Sequence, residues 1–172
     1  MAPHDLDCVV GLGSNLGDRR TTLRVAVQAC ARIGRVDGVS ALYATAPVGG
    51  PRQPEYLNAA LLLGTGLAPP RLLERLRQIE IAAGRERRER WGPRILDLDI
   101  LWIRGCVWGG PTLSVPHPRL QERPFALVPL LDVAPEAVDP HSGVPYRQML
   151  AALDRTGVRK VAPPAQWVPD DA

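Results

Sequence analysis

Apolar residues follow two rhythms along this chain, and the changes between them outline its elements. Residues 7–13 (DCVVGLG) form a short apolar run closed by glycine, which reads as a buried strand. A Gly/Ser/Asn/Asp turn follows. Over 21–33 the period becomes helical, with Leu23, Val27 and Cys30 or Ala31 on one face. Residues 39–45 (VSALYAT) alternate and carry β-branched side chains, predicting a strand. Residues 46–55 hold three prolines and two glycines and are predicted as a loop. A third strand, adjacent to the second, is expected at 56–65 (YLNAALLLGT). Pro69 and Pro70 sit where a helix begins, and Leu72, Leu76, Ile79 and Ala83 mark its buried face over 71–83. A third long apolar run, 95–103 (ILDLDILWI), predicts another strand.

The resulting order, β-α-β-β-α-β, is that of a ferredoxin-like α+β sandwich: an antiparallel sheet with helices on one face. Residues 112–115 are expected to add a short strand, and 124–133 and 146–153 two further helices. The pattern predicts one domain over 1–156 and a mobile Pro-rich tail over 157–172. No internal repeat is visible.

Composition narrows the class. Of 172 residues 45% are hydrophobic, enough for a core, yet no apolar run approaches the ~20 residues of a membrane helix. The start, MAPHDLD, lacks the basic-then-apolar pattern of a secretory signal. Cys8, Cys30 and Cys106 are scattered, odd in number and without C-x-x-C spacing, which argues against disulfides or a zinc site and for a reducing cytoplasmic setting. Net charge is +3 and the pI about 9.0, carried almost wholly by arginine, since Lys160 is the only lysine.

The chemistry begins in the strand 95–103. Side chains alternate along a strand, so Leu96, Leu98, Ile100 and Trp102 are expected to face the helices, and Asp97 and Asp99 the other side. Their Cα atoms would lie roughly 7 Å apart at ~3.3 Å rise per residue. Aspartate is disfavoured in strands, and two like charges on one face repel unless a cation lies between them. An all-oxygen pair suits magnesium, which keeps waters and takes phosphate oxygens into its shell. Spacing alone leaves one or two ions open. Immediately upstream, residues 84–94 (GRERRERWGPR) form an arginine-rich loop bounded by Gly84 and Gly92-Pro93. Arginine forks suit phosphate oxygens, and cations beside metal-binding carboxylates are the layout of phosphoryl-type transfer. A loop of this length can serve as a lid.

Other motifs lead nowhere. GLGSNLG at 11–17 is spaced G-x-G-x-x-x-G, one residue too long for a dinucleotide fingerprint, and reads as a tight strand-to-helix turn. There is no P-loop and no supported nucleophile–base set.

Four motifs in order, GLGSNLGDR (11–19), YATAPVGGPRQPEYLNAA (43–60), ERWGPRILDLDILW (89–102) and SVPHPRLQERPFALVPL (114–130), make residues 9–135 resemble the 6-hydroxymethyl-7,8-dihydropterin pyrophosphokinases of folate biosynthesis. The resemblance implies transfer of diphosphate from ATP to the pterin hydroxymethyl group, with release of AMP. It implies that Asp97 and Asp99 hold two magnesium ions and that Arg85 and Arg94 act with them in catalysis. Glu80, Arg87, Arg90, Trp91, Arg94, Ile100, Ser114, His117 and Arg123 match nucleotide-side positions. The loop is one residue shorter than in some members, so either Arg87 or Arg88 can be aligned with the same family position. Thr45, Ala46, Val48, Tyr56, Asn58 and Phe125 match the pterin pocket, with Tyr56 and Phe125 sandwiching the ring and Asn58 reading its edge. The partners implied are small molecules alone, acting on a monomer, with no nucleic acid and no membrane.

Two other readings use the same fold. An RNA-binding sheet would stack bases on aromatics of its central strands, whereas aromatics are only 5% of this chain and the relevant strand carries Asp97 and Asp99. A non-catalytic ligand sensor would not need an arginine lid and a carboxylate pair together.

Overall fold

The computed structural model describes residues 6–47, 52–84 and 93–168. The strands are β1 (Leu6–Ser14), β2 (Arg35–Val39), β3 (Leu42–Thr45), β4 (Tyr56–Thr65), β5 (Asp97–Ile103), β6 (Trp108–Gly109), β7 (Ser114–Val115) and β8 (Val158–Ala162). The helices are α1 (Arg19–Cys30), α2 (Pro69–Ala82), α3 (Pro124–Val133) and α4 (Tyr146–Ala151). Local chemistry sets the helix starts. Asp18 caps α1 by accepting the Thr21 N–H at 3.1 Å, and prolines open α2 and α3.

The main sheet runs β5-β1-β4-β3-β8, with β2 also pairing β4, and every pairing is antiparallel. The chain is therefore a mixed α/β protein with β1 and β4 at the sheet's centre. On one face Leu23 and Val27 of α1 and Leu72 and Leu76 of α2 pack on Val10, Leu12, Leu61, Leu63 and Ile100. On the other, Leu127 and Leu130 of α3, with Tyr146 and Leu150 of α4, cover Val9, Ala60, Leu101 and Trp102. Helices thus lie on both faces, not on one as the pattern predicted. The β-α-β-β-α-β part supplies only the first layer; α3 is apolar except for Asp132, as suits a helix packed against a sheet.

Three other expectations change. The strand expected at 39–45 is two strands. Ser40 interrupts it: its hydroxyl accepts the Ala60 N–H at 2.8 Å and donates to Ala41 O at 2.7 Å, replacing ladder bonds. In β5 a register shift opposite Val9 and Val10 leaves Leu101 unpaired, so Trp102 turns to the α3 side with Leu101, away from Leu98 and Ile100. The tail expected to be mobile from residue 157 is held over 158–168. β8 pairs with β3, Trp167 is 3% exposed, and its Nε1–H donates to Ser40 O at 3.1 Å. A buried tryptophan and a strand on an otherwise open sheet edge outweigh the local proline content.

Candidate active site

The site lies on the α3 face of the sheet, where β1 ends and β5 begins. Cross-strand register aligns two rows: Asn58, Gly13 and Asp97 in one, Ala60, Gly11 and Asp99 in the other. Both aspartates therefore face glycines of the central strand, which leave space above the sheet. A Cβ on Gly11 would stand 3.0 Å from Leu101 Cδ1, and one on Gly13 3.3 Å from Asn58 Oδ1. The glycines of the 11–17 motif thus open a cavity floor as well as serving the turn.

A cavity of about 700 Å³ rises from this floor. At one end it is charged. Arg94 Nη1 lies 2.5 Å from Asp97 Oδ1. Burial works against the charge on Arg94, but Asp97 more than compensates and raises its pKa. Asp99 is pushed up to about 7, chiefly by burial, then by the charges of Asp97 and Glu80, against the pull of Arg123 and Arg94. Arg123 is shifted down, mainly by burial, and its guanidinium lies 5.7 Å from the Phe125 ring centre. His117 follows the cis Val115–Pro116 bond, and its own N–H is held by Leu101 O at 2.9 Å. Burial, then Arg123, lowers its pKa, so it is neutral at pH 7. Its Nδ1 accepts the Arg119 N–H at 3.2 Å, which places the ring proton on Nε2.

Beside these charged groups the cavity wall is aromatic and polar. Tyr56 and Phe125 line it with Thr45, Ala46 and Asn58. Asn58 Nδ2 donates to Thr45 Oγ1 at 2.6 Å, and both side chains are buried, so the carboxamide is held in one orientation. Asp154, Gly157 and Val158 also line the cavity.

Of the residues expected at the site, Asp97, Asp99, Arg94, His117, Arg123, Thr45, Ala46, Tyr56, Asn58 and Phe125 all line this one cavity. Three do not. Ile100 is buried on the opposite face against α1 and α2. Glu80, 2% exposed on α2, accepts the Leu98 N–H at 2.7 Å and so lies behind the aspartate strand. Ser114 sits in the β6–β7 hairpin, opposite Gly109. Val48, Arg85, Arg87, Arg90 and Trp91 lie outside the described residues. Residues not anticipated are Gln53, Arg119, Glu122 and Asp154 on the cavity wall, and Asn15 beneath it. Only Asn15 carried a signal, as a polar side chain directly after a buried strand.

One cavity that joins paired carboxylates and arginines to an aromatic, amide-lined end defines the class: an enzyme moving a phosphate-bearing group onto a small flat substrate. The family model described as 7,8-dihydro-6-hydroxymethylpterin-pyrophosphokinase (HPPK) matches residues 9–135. A 2-amino-4-hydroxy-6-hydroxymethyldihydropteridine pyrophosphokinase of Synechocystis is 42% identical over 157 residues, covering 90% of this chain and 80% of that protein. Its counterpart from Methylorubrum extorquens is 43% identical over 154 residues, covering 88% and 96%. The chain belongs to this family. The fold also resembles a Plasmodium falciparum HPPK-DHPS crystal structure with a TM-score of 0.69 at 14% identity; 88% of this chain is covered but only 44% of that one.

Proposed function

We propose that this chain transfers the terminal diphosphate of ATP to the hydroxymethyl oxygen of 6-hydroxymethyl-7,8-dihydropterin, releasing AMP, as a step of folate synthesis. The observation that carries this is the meeting of Asp97, Asp99, Arg94 and Arg123 with Tyr56, Asn58 and Phe125 in one cavity of a family member. The pterin hydroxyl oxygen attacks the β-phosphorus, the bond from that phosphorus to the α–β bridging oxygen breaks, and AMP leaves with that oxygen. The hydroxyl proton passes to solvent.

The side chains supply positioning and charge. Tyr56 and Phe125 flank the ring, and Asn58 offers a donor and an acceptor to its edge. Arg94 and Arg123 neutralise charge that develops on the phosphates. His117, with a ring proton on Nε2, offers a donor to a phosphate oxygen. Asp97 and Asp99 fit magnesium: two adjacent carboxylates, one of them held near pH 7 by burial and mutual repulsion, are relieved by a cation. We propose two ions, with phosphate oxygens and water completing their shells, since no three His, Cys, Asp or Glu side chains converge among the described residues. Bound there, magnesium supplies charge neutralisation on the triphosphate.

Arg85, Arg87, Arg90 and Trp91 are read as a lid over the nucleotide, with Val48 completing the pterin pocket. The scaffold is read as ferredoxin-like, supported by the order β5-β1-β4-β3 once β2 and β3 are counted as one broken strand. The reading is of a monomer acting on small molecules, without nucleic acid. Free Cys8 and Cys30, both buried, support a cytoplasmic setting, and no described helix is long and apolar enough to cross a membrane. Incubation with Mg-ATP and hydroxymethyl-dihydropterin tests the reaction: AMP and pterin diphosphate should form in equal amounts, and ADP in place of AMP would overturn it.

A further inference from the structure

Asn15 lies just past the end of β1 and is 1% exposed. Its backbone N–H donates to Arg94 O at 3.1 Å, and its Oδ1 accepts the Arg94 N–H at 2.8 Å. These two bonds hold the Arg94 peptide three residues ahead of Asp97, where the Arg94 side chain turns back to pair with Asp97. The amide nitrogen faces the other way. Nδ2 donates to Gln53 Oε1 at 2.8 Å and to Pro54 O at 3.3 Å, in the loop that leads into Tyr56. The partners fix the orientation of the amide, since an N–H can only donate and a carbonyl can only accept. A flipped amide would break the bonds to Arg94 and Pro54 together.

We propose that Asn15 is a positioning residue that sets Arg94, on the phosphate side, and the 53–54 loop, on the heterocycle side, at one spacing. Asn15 itself is not part of the cavity lining. Loss of this amide releases two walls of the cavity at once, and burial makes replacement by water costly. Aspartate has the same shape but cannot donate to Gln53 or Pro54, so it separates the two halves of the role.

The inference rests on the function proposed above, and the test keeps the two apart. Full-length wild type, Asn15→Ala, Asn15→Asp and Gln53→Ala are compared in AMP release, with Mg-ATP and pterin varied separately. Pterin affinity is also measured by calorimetry in the presence of a non-hydrolysable ATP analogue. Asn15→Ala should lower kcat by about a hundredfold, the scale of a misplacement of about 1 Å, and raise the pterin KM by about tenfold. Asn15→Asp and Gln53→Ala should raise the pterin KM and weaken pterin binding by a similar factor, with a smaller change in kcat and none in the KM for ATP. If Asn15→Ala does not fold, the other two variants decide. Folded variants that keep kcat, both KM values and pterin affinity within about twofold of wild type overturn the inference, whatever their Tm. A wild type that binds pterin but releases no AMP overturns the proposed reaction, and the binding arm still judges Asn15.

Discussion

Asp99 is a buried carboxylate whose neighbours make its charge costly. Its pKa is pushed from an ordinary carboxylate value to about 7 because the side chain is buried beside Asp97 and in the field of Glu80. The folded form therefore binds a proton that the unfolded form has already lost at mildly acidic pH. Without metal, stability should fall as pH rises from about 4 to about 7 and level off above. Chemical denaturation in chelator across that range checks this, and Asp99→Asn should flatten the profile. A wild-type profile rising over the same range would contradict the assignment. Phe125, the only phenylalanine, lines the heterocycle end. Phe125→Ala should weaken pterin binding far more than ATP binding by calorimetry, and equal losses would contradict its role. The aspartates were legible in sequence because a charged pair in an apolar strand is costly. Gln53 was not, and Asn15 showed only as a polar side chain after a buried strand, because their roles arise from contacts between distant segments.

At the level of elements, β1 is the strand on which the site depends. It places Gly11 and Gly13 opposite Asp99 and Asp97, and its other neighbour, β4, carries Tyr56 and Asn58. Gly13→Ala should push on the Asn58 carboxamide, 3.3 Å from the new methyl, and raise the pterin KM with little change in Tm. Steady-state kinetics beside a melting curve checks this; an unchanged pterin KM would contradict it. Apolar period alone located β1, β4, α2 and α3 to within a few residues. It missed the break at Ser40 and the bulge at Leu101, because each depends on what the neighbouring strand offers. The bulge matters to the site's surroundings: it turns Trp102 towards α3 beside Leu101 and leaves Ile100 in the opposite core.

For the molecule as a whole, two layers of helices enclose one sheet, and the second layer makes the cavity. α3 brings Phe125 to the cavity, and the turn leading into β8 adds Asp154, Gly157 and Val158 to its wall. Local composition could not foretell this, since the proline-rich end is held by Trp167 reaching Ser40 across the chain. Truncation after residue 156 removes β8 and that anchor. It should lower Tm by several degrees, as loss of a few kcal/mol does in a domain of this size, and should raise the pterin KM more than the ATP KM. Unaltered melting and kinetics would mean the end of the chain plays no part.

The central claim is that one carboxylate pair serves diphosphate transfer inside this cavity. Its most direct test is the nucleotide product of wild type and Asp97→Ala, assayed side by side with Mg-ATP and hydroxymethyl-dihydropterin. AMP in step with pterin diphosphate from wild type, and a loss of at least about a hundredfold from a variant that still melts cooperatively, is the predicted result. No AMP above background from wild type, or near-normal AMP from Asp97→Ala, would contradict it.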